Sequence, residues 1–472
     1  MKMNHDTAIT RISTWADVHE EFTLRQRELA IDAIIDTVAC MVAGRNDASV
    51  LAVSSLFRDE SCADSASAVD GRQHSSSSAA LINGTAAHAL DYDDNFPPAA
   101  SHASAVLVPA ILASAQSRKL SGASVVNAYL TGLQCQALIG EPVAAAHYTA
   151  GWHATSTIGM LGTSAAVASL LGADRETIAN TMSIAVSLAS GSKIQFGTPM
   201  KPIHAGLAAR NAIDAALLAC AGAHGRLDAL EGPQGFQQLY GAAESRRWPD
   251  LESILARKDH AIETPGLWPK AHPCCGSTHL AIDAMLDLQR EYQFSAEDIA
   301  TVNITVLSAN AQNLPYHRPR NVMEARFSMP YCLDRAVSNG HLSLSDFTPD
   351  AIRRHGSSDR LDRFTMTTWP NAQEQEFISS GRMPHKIELT LRNGRRLQAK
   401  RESSRGTLAE PFSRNERRRK FIDCTNDSRS SRMYDRLLAV EDEPDVDFVG
   451  KFLHRTAESN SATESTHRGG RL

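Results

Sequence analysis

Residues 24–44 read LRQRELAIDAIIDTVACMVAG. Apolar side chains recur along this stretch at intervals of three and four residues, which places them on one face of an α-helix. Gly44 closes the pattern, as glycine commonly does at the end of a helix. The stretch therefore predicts an amphipathic helix.

The chain from this helix to about residue 230 is rich in alanine and is punctuated by glycine and serine. Further helical patterns occur at 78–90, 103–117, 123–141, 156–171, 175–188 and 205–223. Small side chains allow helices to approach one another closely, and no convincing alternating run typical of a strand interrupts these patterns. The first half of the chain is predicted to be a compact, all-helical bundle.

The pattern changes after Trp268, because residues 301–307 and 386–391 alternate apolar and polar side chains as β-strands do. The pair Asn393-Gly394 follows the second of these and favours a tight hairpin to a returning strand. The fold class is thus predicted to be mainly α, with a large all-helical domain and a smaller α+β domain. We expect the large domain at 1–267 together with 401–456, the smaller domain at 268–400 and a disordered tail at 457–472.

Composition excludes several classes of function. The 472 residues include 48 Lys plus Arg against 53 Asp plus Glu, a formal net charge of −5, so there is no overall basic field for nucleic acid or anionic lipid. The apolar runs are too short to cross a bilayer, and the charged N-terminal residues lack the layout of a secretion signal. We expect a cytoplasmic protein with no nucleic-acid and no membrane partner.

Eight cysteines are scattered through the chain, and only Cys274 and Cys275 are close together. A zinc or iron–sulfur site needs clustered ligands with characteristic spacing, which the sequence does not show. Reduced thiols fit a cytoplasmic compartment. We therefore expect no metal and no other cofactor, so that any chemistry is done by side chains alone.

The stretch HALDYDDN, residues 88–95, places three carboxylates within four residues, and His102 follows it. Carboxylates this close repel one another unless a cation or a hydrogen-bond donor compensates, so the stretch indicates a site. A solvated acidic helix end before the Pro97-Pro98 break explains the same spacing equally well. His102 taken alone is more often a packed or capping histidine than a base.

Two Gly/Pro-containing loops lead into helices. GWHATST, residues 151–157, puts His153 ahead of a helix for which Thr155 or Ser156 is the plausible N-cap. A helix N-terminus lowers the pKa of a nearby histidine and helps keep it neutral and able to take a proton. GTPMKPIHAG, residues 197–206, offers Lys201 to a carboxylate. A loop-closing histidine and a surface lysine are the simpler alternatives.

The stretch PKAHPCCGSTH, residues 269–279, lies where the helical part gives way to the α+β part and offers the cation of Lys270, two histidines and two thiols. Junctions between domains are preferred ligand clefts, although a linker with buried thiols accounts for the same residues. RFSMPY, residues 326–331, adds Tyr331, which by its pattern alone is a core residue. Together these stretches predict a cationic, histidine-containing cleft.

The motifs HALDYDDN, GWHATST, KPIHAGLAARN, KAHPCCGSTH and RFSMPYC, in this order, resemble those of the MmgE/PrpD family, and the resemblance runs from about residue 10 to 455. The family includes 2-methylcitrate dehydratases, cis-aconitate decarboxylases and iminodisuccinate epimerases. The resemblance implies a helical large domain, an α+β lid domain, a homodimer and a substrate cleft between the two domains.

By the same resemblance, His102 and His153 transfer protons, while Lys201 and Lys270 hold substrate carboxylates. The full set of implied site residues consists of catalytic His102, His153, Asp91 and Tyr331 and substrate-binding Lys201, Lys270, Asn95 and Cys275. Asn95 stands where many members have Thr, and Cys275 where the animal decarboxylases have His, which leaves the substrate open.

The function predicted from these observations is that of a cofactor-independent lyase, a dehydratase or decarboxylase, whose partner is a small di- or tricarboxylate such as 2-methylcitrate or cis-aconitate. An epimerase of a dicarboxylate such as iminodisuccinate is an alternative in the same cleft. A non-catalytic carboxylate-binding protein is an alternative of another class.

Overall fold

The computed structural model describes residues 6–18, 21–60, 65–241 and 259–454, so the tail predicted at 457–472 lies outside the described residues. The chain divides into two compact units. The large unit consists of Met1–Gln195, Pro199–Pro269 and Ser413–Leu472, and the smaller unit of Phe196–Thr198 and Lys270–Phe412. Within the described ranges, we find no helix with both the length and the apolar composition that a membrane span requires.

Helices dominate the structure, which confirms the predicted fold class. In chain order the helices are α1 (Ala8–Asp17), α2 (Leu24–Gly44), α3 (Ala48–Ser54), α4 (Ser76–Ala89), α5 (Ala103–Arg118), α6 (Gly122–Gly140), α7 (Ala144–Thr149), α8 (Ile158–Leu170), α9 (Arg175–Leu188), α10 (Met200–Cys220), α11 (Phe236–Tyr240), α12 (Gly276–Tyr292), α13 (Ser308–Gln312), α14 (Val322–Arg326), α15 (Met329–Asn339), α16 (Pro349–His355), α17 (Asn371–Ser379), α18 (Arg414–Thr425), α19 (Ser430–Leu438) and α20 (447–454). The large unit holds α1–α11 and α18–α20.

The helix predicted at 24–44 is α2, with the same ends. Thr23 caps it by accepting a hydrogen bond from the backbone N–H of Gln26, whose side chain bonds back to Thr23 in a capping box. Helix α10 begins at Met200, five residues earlier than predicted, because a proline is tolerated in the first turn of a helix, where its missing N–H is no loss. Lys201 therefore lies in a helical turn, rather than in a loop.

The large unit also contains a short antiparallel hairpin of β1 (Ser65–Ser67) and β2 (Gln73–Ser75). Its strands have three residues each, which is too short for an alternating pattern to be recognised in the sequence. The expectation that no strand interrupts the helical half is therefore corrected at this point.

The smaller unit is built on a four-stranded sheet with the order β4-β3-β5-β6. Its strands are β3 (Ile299–Val306), β4 (Phe364–Thr368), β5 (His385–Leu391) and β6 (Arg396–Arg401). The predicted hairpin at Asn393-Gly394 is confirmed, since β5 and β6 pair antiparallel and Gly394 takes a φ of 85°. Strand β4, which pairs parallel to β3, was not predicted, because most of its side chains are at least partly exposed.

Helices α4 and α10 cross in close contact at two glycines. A Cβ on Gly206 would lie 2.3 Å from the carbonyl oxygen of Leu81, and one on Gly84 would lie 2.9 Å from the Cα of Gly206. Only glycine permits backbones to approach this closely. The crossing fixes the end of α4 beside the first turn of α10, where Lys201 lies.

We expect Gly206→Leu to destabilise the large unit by about 1–3 kcal/mol, because the new side chain would push the backbones of α4 and α10 apart. Urea unfolding measures the change. Leu218→Ala, a change at a side chain that is exposed on the same helix, is the matched control and should have little effect. Equal stabilities of the two variants would show that the crossing is looser than described.

Candidate active site

The acidic stretch after α4 is buried. Helix α4 ends at Ala89, and Asp91 then adopts a left-handed conformation with a φ of 53°. Aspartate tolerates this conformation better than most residues, so the chain reverses direction here. Asp91, Asp93 and Asp94 are each at most 3% exposed, which rules out the alternative of a solvated helix end.

Asp91 pairs with Lys201 across the large unit. The Lys201 Nζ donates to Asp91 Oδ1 at 2.5 Å, and both side chains are only 4% exposed. Lys201 is the second residue of α10, where the helix dipole disfavours a cation, so the Asp91 carboxylate compensates both the dipole and the burial. The ammonium predicted to hold a substrate carboxylate thus has a protein carboxylate as its partner in this structure.

Asp93 connects two imidazoles. Its Oδ2 lies 2.8 Å from His88 Nδ1 and 3.3 Å from His102 Nδ1, and its side chain is fully buried. Burial would raise the pKa of Asp93, but the two adjacent imidazoles outweigh that effect and hold the pKa well below its usual range. An ionised Asp93 only accepts hydrogen bonds, so it orients His102 with Nδ1 toward the carboxylate and leaves Nε2 4.0 Å from Asp91 Oδ1.

Burial is the main cause that lowers the pKa of His88 to about 3. Asp93 raises this pKa, but Lys201 and His102 lower it further, so the effect of Asp93 is outweighed. Burial also lowers the pKa of His153 well below its usual value, and His88 and Lys201 lower it further. The His88 ring lies 4.4 Å from the ring of His102 and 5.7 Å from that of His153, measured between centroids. The site therefore holds two neutral imidazoles, those of His88 and His153, close to the ring of His102.

His153 lies just ahead of α8, but the predicted caps are not used. The helix begins at Ile158, and Thr157 at the cap position makes no side-chain capping bond. Thr155 Oγ1 instead accepts a hydrogen bond of 3.0 Å from the backbone N–H of His102. Thr155 thus ties the start of α5 to the loop of His153, and burial is the main cause of the lowered pKa of that histidine.

One group of side chains in the described ranges has the composition of a metal site. Potential ligand atoms of His88, Asp91, Asp93 and His102 all lie within 4.8 Å of one another. Two imidazoles and two carboxylates suit a divalent transition metal. In this structure the Lys201 ammonium is the cation that pairs with Asp91. The expectation of metal-free chemistry stays a prediction, which activity in the presence of a chelator tests.

Asp94 does not belong to this group and instead caps the first turn of α5. Its Oδ1 accepts a 3.3 Å bond from the backbone N–H of Ser104, and its Oδ2 accepts a short bond from the Ser104 hydroxyl. The Ser104 hydroxyl also lies 2.6 Å from the hydroxyl of Tyr129. Since His102 at the cap position makes no capping bond of its own, Asp94 stabilises the helix start that carries His102.

Burial raises the pKa of Asp94 from 3.8 to about 7 despite the bonds from Ser104. Between pH 4 and pH 7 the folded protein therefore binds a proton at Asp94 that the unfolded chain has lost, so stability falls as the pH rises through this window. We expect Asp94→Asn, which keeps an acceptor for the Ser104 N–H, to remove this loss. Urea unfolding at several pH values compares the variant with the natural protein and with exposed Asp59→Asn. Parallel curves for all three proteins would contradict the assignment.

The smaller unit contains Lys270 and Cys275. Lys270 is only 1% exposed, which is unusual for a lysine. Cys275 is the residue before α12 and donates its backbone N–H to the carbonyl oxygen of Arg326. In the same stretch, His272 Nε2 lies 3.0 Å from Asp283 Oδ1. The stretch is therefore a fixed, buried segment of the smaller unit.

Tyr331 and Asn95 both make hydrogen bonds to other parts of the protein. Tyr331 is fully buried in the core of the smaller unit, and its hydroxyl donates a 2.5 Å bond to the carbonyl oxygen of Asp346. This agrees with the interpretation of the residue pattern alone, whereas the assignment of Tyr331 to the cleft stays a prediction. Asn95 pairs through its backbone with Trp268, donating at 2.9 Å and accepting at 2.8 Å.

We expect Tyr331→Phe to leave turnover unchanged, because the hydroxyl is bonded within the core. Loss of that bond leaves the carbonyl of Asp346 without this donor and should cost about 0.5–1.5 kcal/mol of unfolding free energy. Steady-state kinetics together with urea unfolding measure both effects. A tenfold fall in kcat with unchanged stability would return Tyr331 to the site.

The large unit thus brings together Asp91, His102, His153 and Lys201, which lie up to 110 positions apart in the chain. The sequence analysis quoted but did not assign three further members, His88, Asp93 and His204. The i, i+5 spacing of His88 and Asp93 around a helix end is the signal that could have indicated their contact.

Comparisons with known proteins find matches over most of the chain. Residues 10–248 match the sequence model of the MmgE/PrpD N-terminal domain, and residues 272–442 match that of the MmgE/PrpD C-terminal domain. Among curated proteins, the cis-aconitate decarboxylase of Mus musculus is 26% identical over 357 residues, which cover 73% of this chain and 70% of the mouse protein. The cis-aconitate decarboxylase of Homo sapiens is 27% identical over 354 residues, covering 73% and 71% of the two chains. That of Aspergillus terreus is 25% identical over 326 residues, covering 64% and 65%.

Proposed function

Because the chain belongs to the MmgE/PrpD family, we propose that it is a lyase that acts on a small di- or tricarboxylate, with the decarboxylation of cis-aconitate as the first reaction to test. The curated relatives described above are cis-aconitate decarboxylases, which supports a lyase. Their 25–27% identity supports the class of reaction more strongly than the substrate.

The observation that carries the proposal is the group formed by buried Asp91, Asp93 and Lys201 with the partly exposed His102. Asp93 orients His102, so the His102 Nε2 can exchange a proton with the substrate carboxylate that takes up the electron pair. The arrangement matches what general acid–base catalysis needs, an imidazole held in one orientation by a buried carboxylate.

The proposed decarboxylation breaks one carbon–carbon bond and releases carbon dioxide. The electron pair of that bond moves through the adjacent double bond onto a remaining carboxylate, and a histidine then delivers a proton to carbon. Positive charge stabilises the intermediate, because its negative charge is spread over the carboxylate oxygens. The Lys201 ammonium has three N–H donors, so it can hold Asp91 and also bond to a substrate oxygen.

Lys270, Cys275 and Asn95 complete the proposed substrate-binding set. Their assignment is supported by the matched motifs. In this proposal Lys270 supplies a second cation, so that two carboxylates of the substrate are held during loss of a third. The proposal also includes a homodimer, which light scattering of the purified protein tests, and a reaction without metal, which is tested by activity in the presence of a chelator.

Incubation of the purified protein with cis-aconitate, 2-methylcitrate and citrate, followed by ultraviolet absorbance and by proton NMR of the products, tests the function. We expect net conversion of at least one of these substrates, unchanged by EDTA. Deuterium exchange at a stereocentre with no net product would indicate the epimerase alternative. Binding of these carboxylates without turnover or exchange would indicate the non-catalytic alternative.

A further inference from the structure

His153 and His204 contact each other through the same ring atom. The two Nδ1 atoms lie 3.2 Å apart, and the ring centroids lie 5.4 Å apart. A hydrogen bond between two imidazole nitrogens needs a proton on one of them and a lone pair on the other. Exactly one of these two Nδ1 atoms is therefore protonated at a time.

Both imidazoles are neutral near pH 7. Burial is the main cause of the lowered pKa of each, and Lys201 contributes in the same direction to both. A neutral imidazole has one N–H, so if His204 holds the shared proton, His153 is protonated at Nε2. If His153 holds it instead, His153 Nε2 carries a lone pair. The pair thus has two tautomeric states, in which His153 is an acid or a base at Nε2.

The surroundings fix this contact. The backbone N–H of His153 donates a 3.0 Å bond to the carbonyl oxygen of Gly191, and Ser156 Oγ donates to the carbonyl oxygen of His204 at 3.2 Å. A Cβ on Gly191 would lie 2.9 Å from the Cβ of Ser156, so the loop fits closely over the pair. His204 is 6% exposed and His153 is 2% exposed, and within the described ranges the His204 Nε2 makes no hydrogen bond.

We propose that His153 and His204 form a proton relay, in which a proton enters at His204 Nε2, crosses between the two Nδ1 atoms and leaves from His153 Nε2. The relay rests on the proposed lyase function, because protonation of the substrate carbon consumes one proton per turnover.

The transfer conserves the number of protons on the two imidazoles. Before it, His204 is protonated at Nδ1 and His153 at Nε2. His153 Nε2 gives its proton to the carbanion, His204 Nδ1 gives its proton to His153 Nδ1, and His204 Nε2 takes one proton from solvent water. Afterwards His153 is protonated at Nδ1 and His204 at Nε2, both rings are again neutral, and one proton has moved from solvent to the substrate. After the product leaves, His204 Nε2 releases a proton to solvent, the shared proton returns to His204 Nδ1, and His153 Nε2 takes a proton from solvent, which restores the starting tautomers.

The relay is tested in the full-length protein with His204→Ala. We expect kcat on the substrate identified above to fall by about 10²-fold, at the low end of the contribution of a general acid, with KM changed less than threefold. Imidazole added to the buffer should restore at least part of the lost kcat, because it can occupy the space left by the side chain. His224→Ala removes an exposed imidazole and is the matched control, for which we expect no change.

Nitrogen-15 NMR of histidine-labelled protein tests the pair without any substrate. In the natural protein, we expect His153 and His204 to show one Nδ1–H between them, and His204→Ala to change the Nδ1 shift of His153. A merely structural His204 would not be rescued by imidazole.

The outcomes separate the two proposals. If the natural protein converts none of the carboxylates, the proposed function fails and the relay fails with it. If the natural protein is active and His204→Ala keeps full kcat, or the His153 tautomer is unaffected by the substitution, the relay alone is overturned.

Discussion

Substitution of His102 by Asn should lower kcat for the polycarboxylate substrate by about 10²–10⁴-fold, the usual contribution of a positioned general acid or base. Asparagine keeps a donor near Asp93 but has no group that exchanges a proton near pH 7. Since the His102 side chain is partly exposed and makes its backbone bond to Thr155 through its N–H, the variant should remain folded. Product assays sampled at fixed times measure kcat, and circular dichroism measures whether the variant is folded.

Asp93→Asn is the companion variant, because an amide no longer fixes both imidazoles through one ionised oxygen. We expect its kcat to fall as well, through a wrong His102 tautomer. His224→Asn, a change at an exposed histidine, is the control. Full activity of His102→Asn would remove His102 from the chemistry and leave His153 as the proton-transfer residue.

Lys201→Met should destabilise the large unit by about 3–5 kcal/mol, because it leaves the carboxylate of Asp91 buried without its cation. A methionine side chain fits most of the volume of the lysine stem, so the loss reports mainly the missing charge. Urea unfolding measures the effect. The double variant Asp91→Asn/Lys201→Met, in which neither charge is buried, should recover a large part of the lost stability.

If Lys201→Met unfolds like the natural protein, Asp91 is not paired with Lys201 in solution, and Lys201 is available as the clamp that the sequence analysis predicted. If the double variant is as unstable as the single one, packing around the lysine stem is the cause, rather than the buried charge.

The sequence predicted those elements whose side chains form long, regular patterns. Strands β3 and β5 each bury one face, and helix α2 is buried except for a narrow stripe, so their apolar residues follow the period of the element. Strand β4 was not predicted because it is largely exposed. The hairpin β1-β2 was not predicted because its strands have only three residues each. The start of α10 was misplaced because prolines in a first helical turn look like a loop.

For the site, the sequence indicated that Asp91, His102, His153 and Lys201 matter, but not which atoms meet. Lys201 was expected to bind substrate and instead contacts Asp91, a pairing over 110 positions that no local pattern contains. Tyr331 was assigned by resemblance, whereas its own apolar surroundings indicate a core position. His204 was overlooked because a histidine one turn after a lysine has no distinctive signature until the fold places His153 beside it.

The central claim is that the histidines held beside the Asp91–Lys201 pair of the large unit transfer a proton to a carbon next to a carboxylate. Reaction with cis-aconitate in D₂O, analysed by proton and carbon NMR, tests this claim most directly. The account predicts release of carbon dioxide and a product with one deuterium at the carbon beside the carboxylate that takes up the electron pair. Carbon dioxide release and deuterium incorporation should both be abolished in His102→Asn. Absence of turnover and of deuterium incorporation with cis-aconitate, 2-methylcitrate and citrate alike would contradict it.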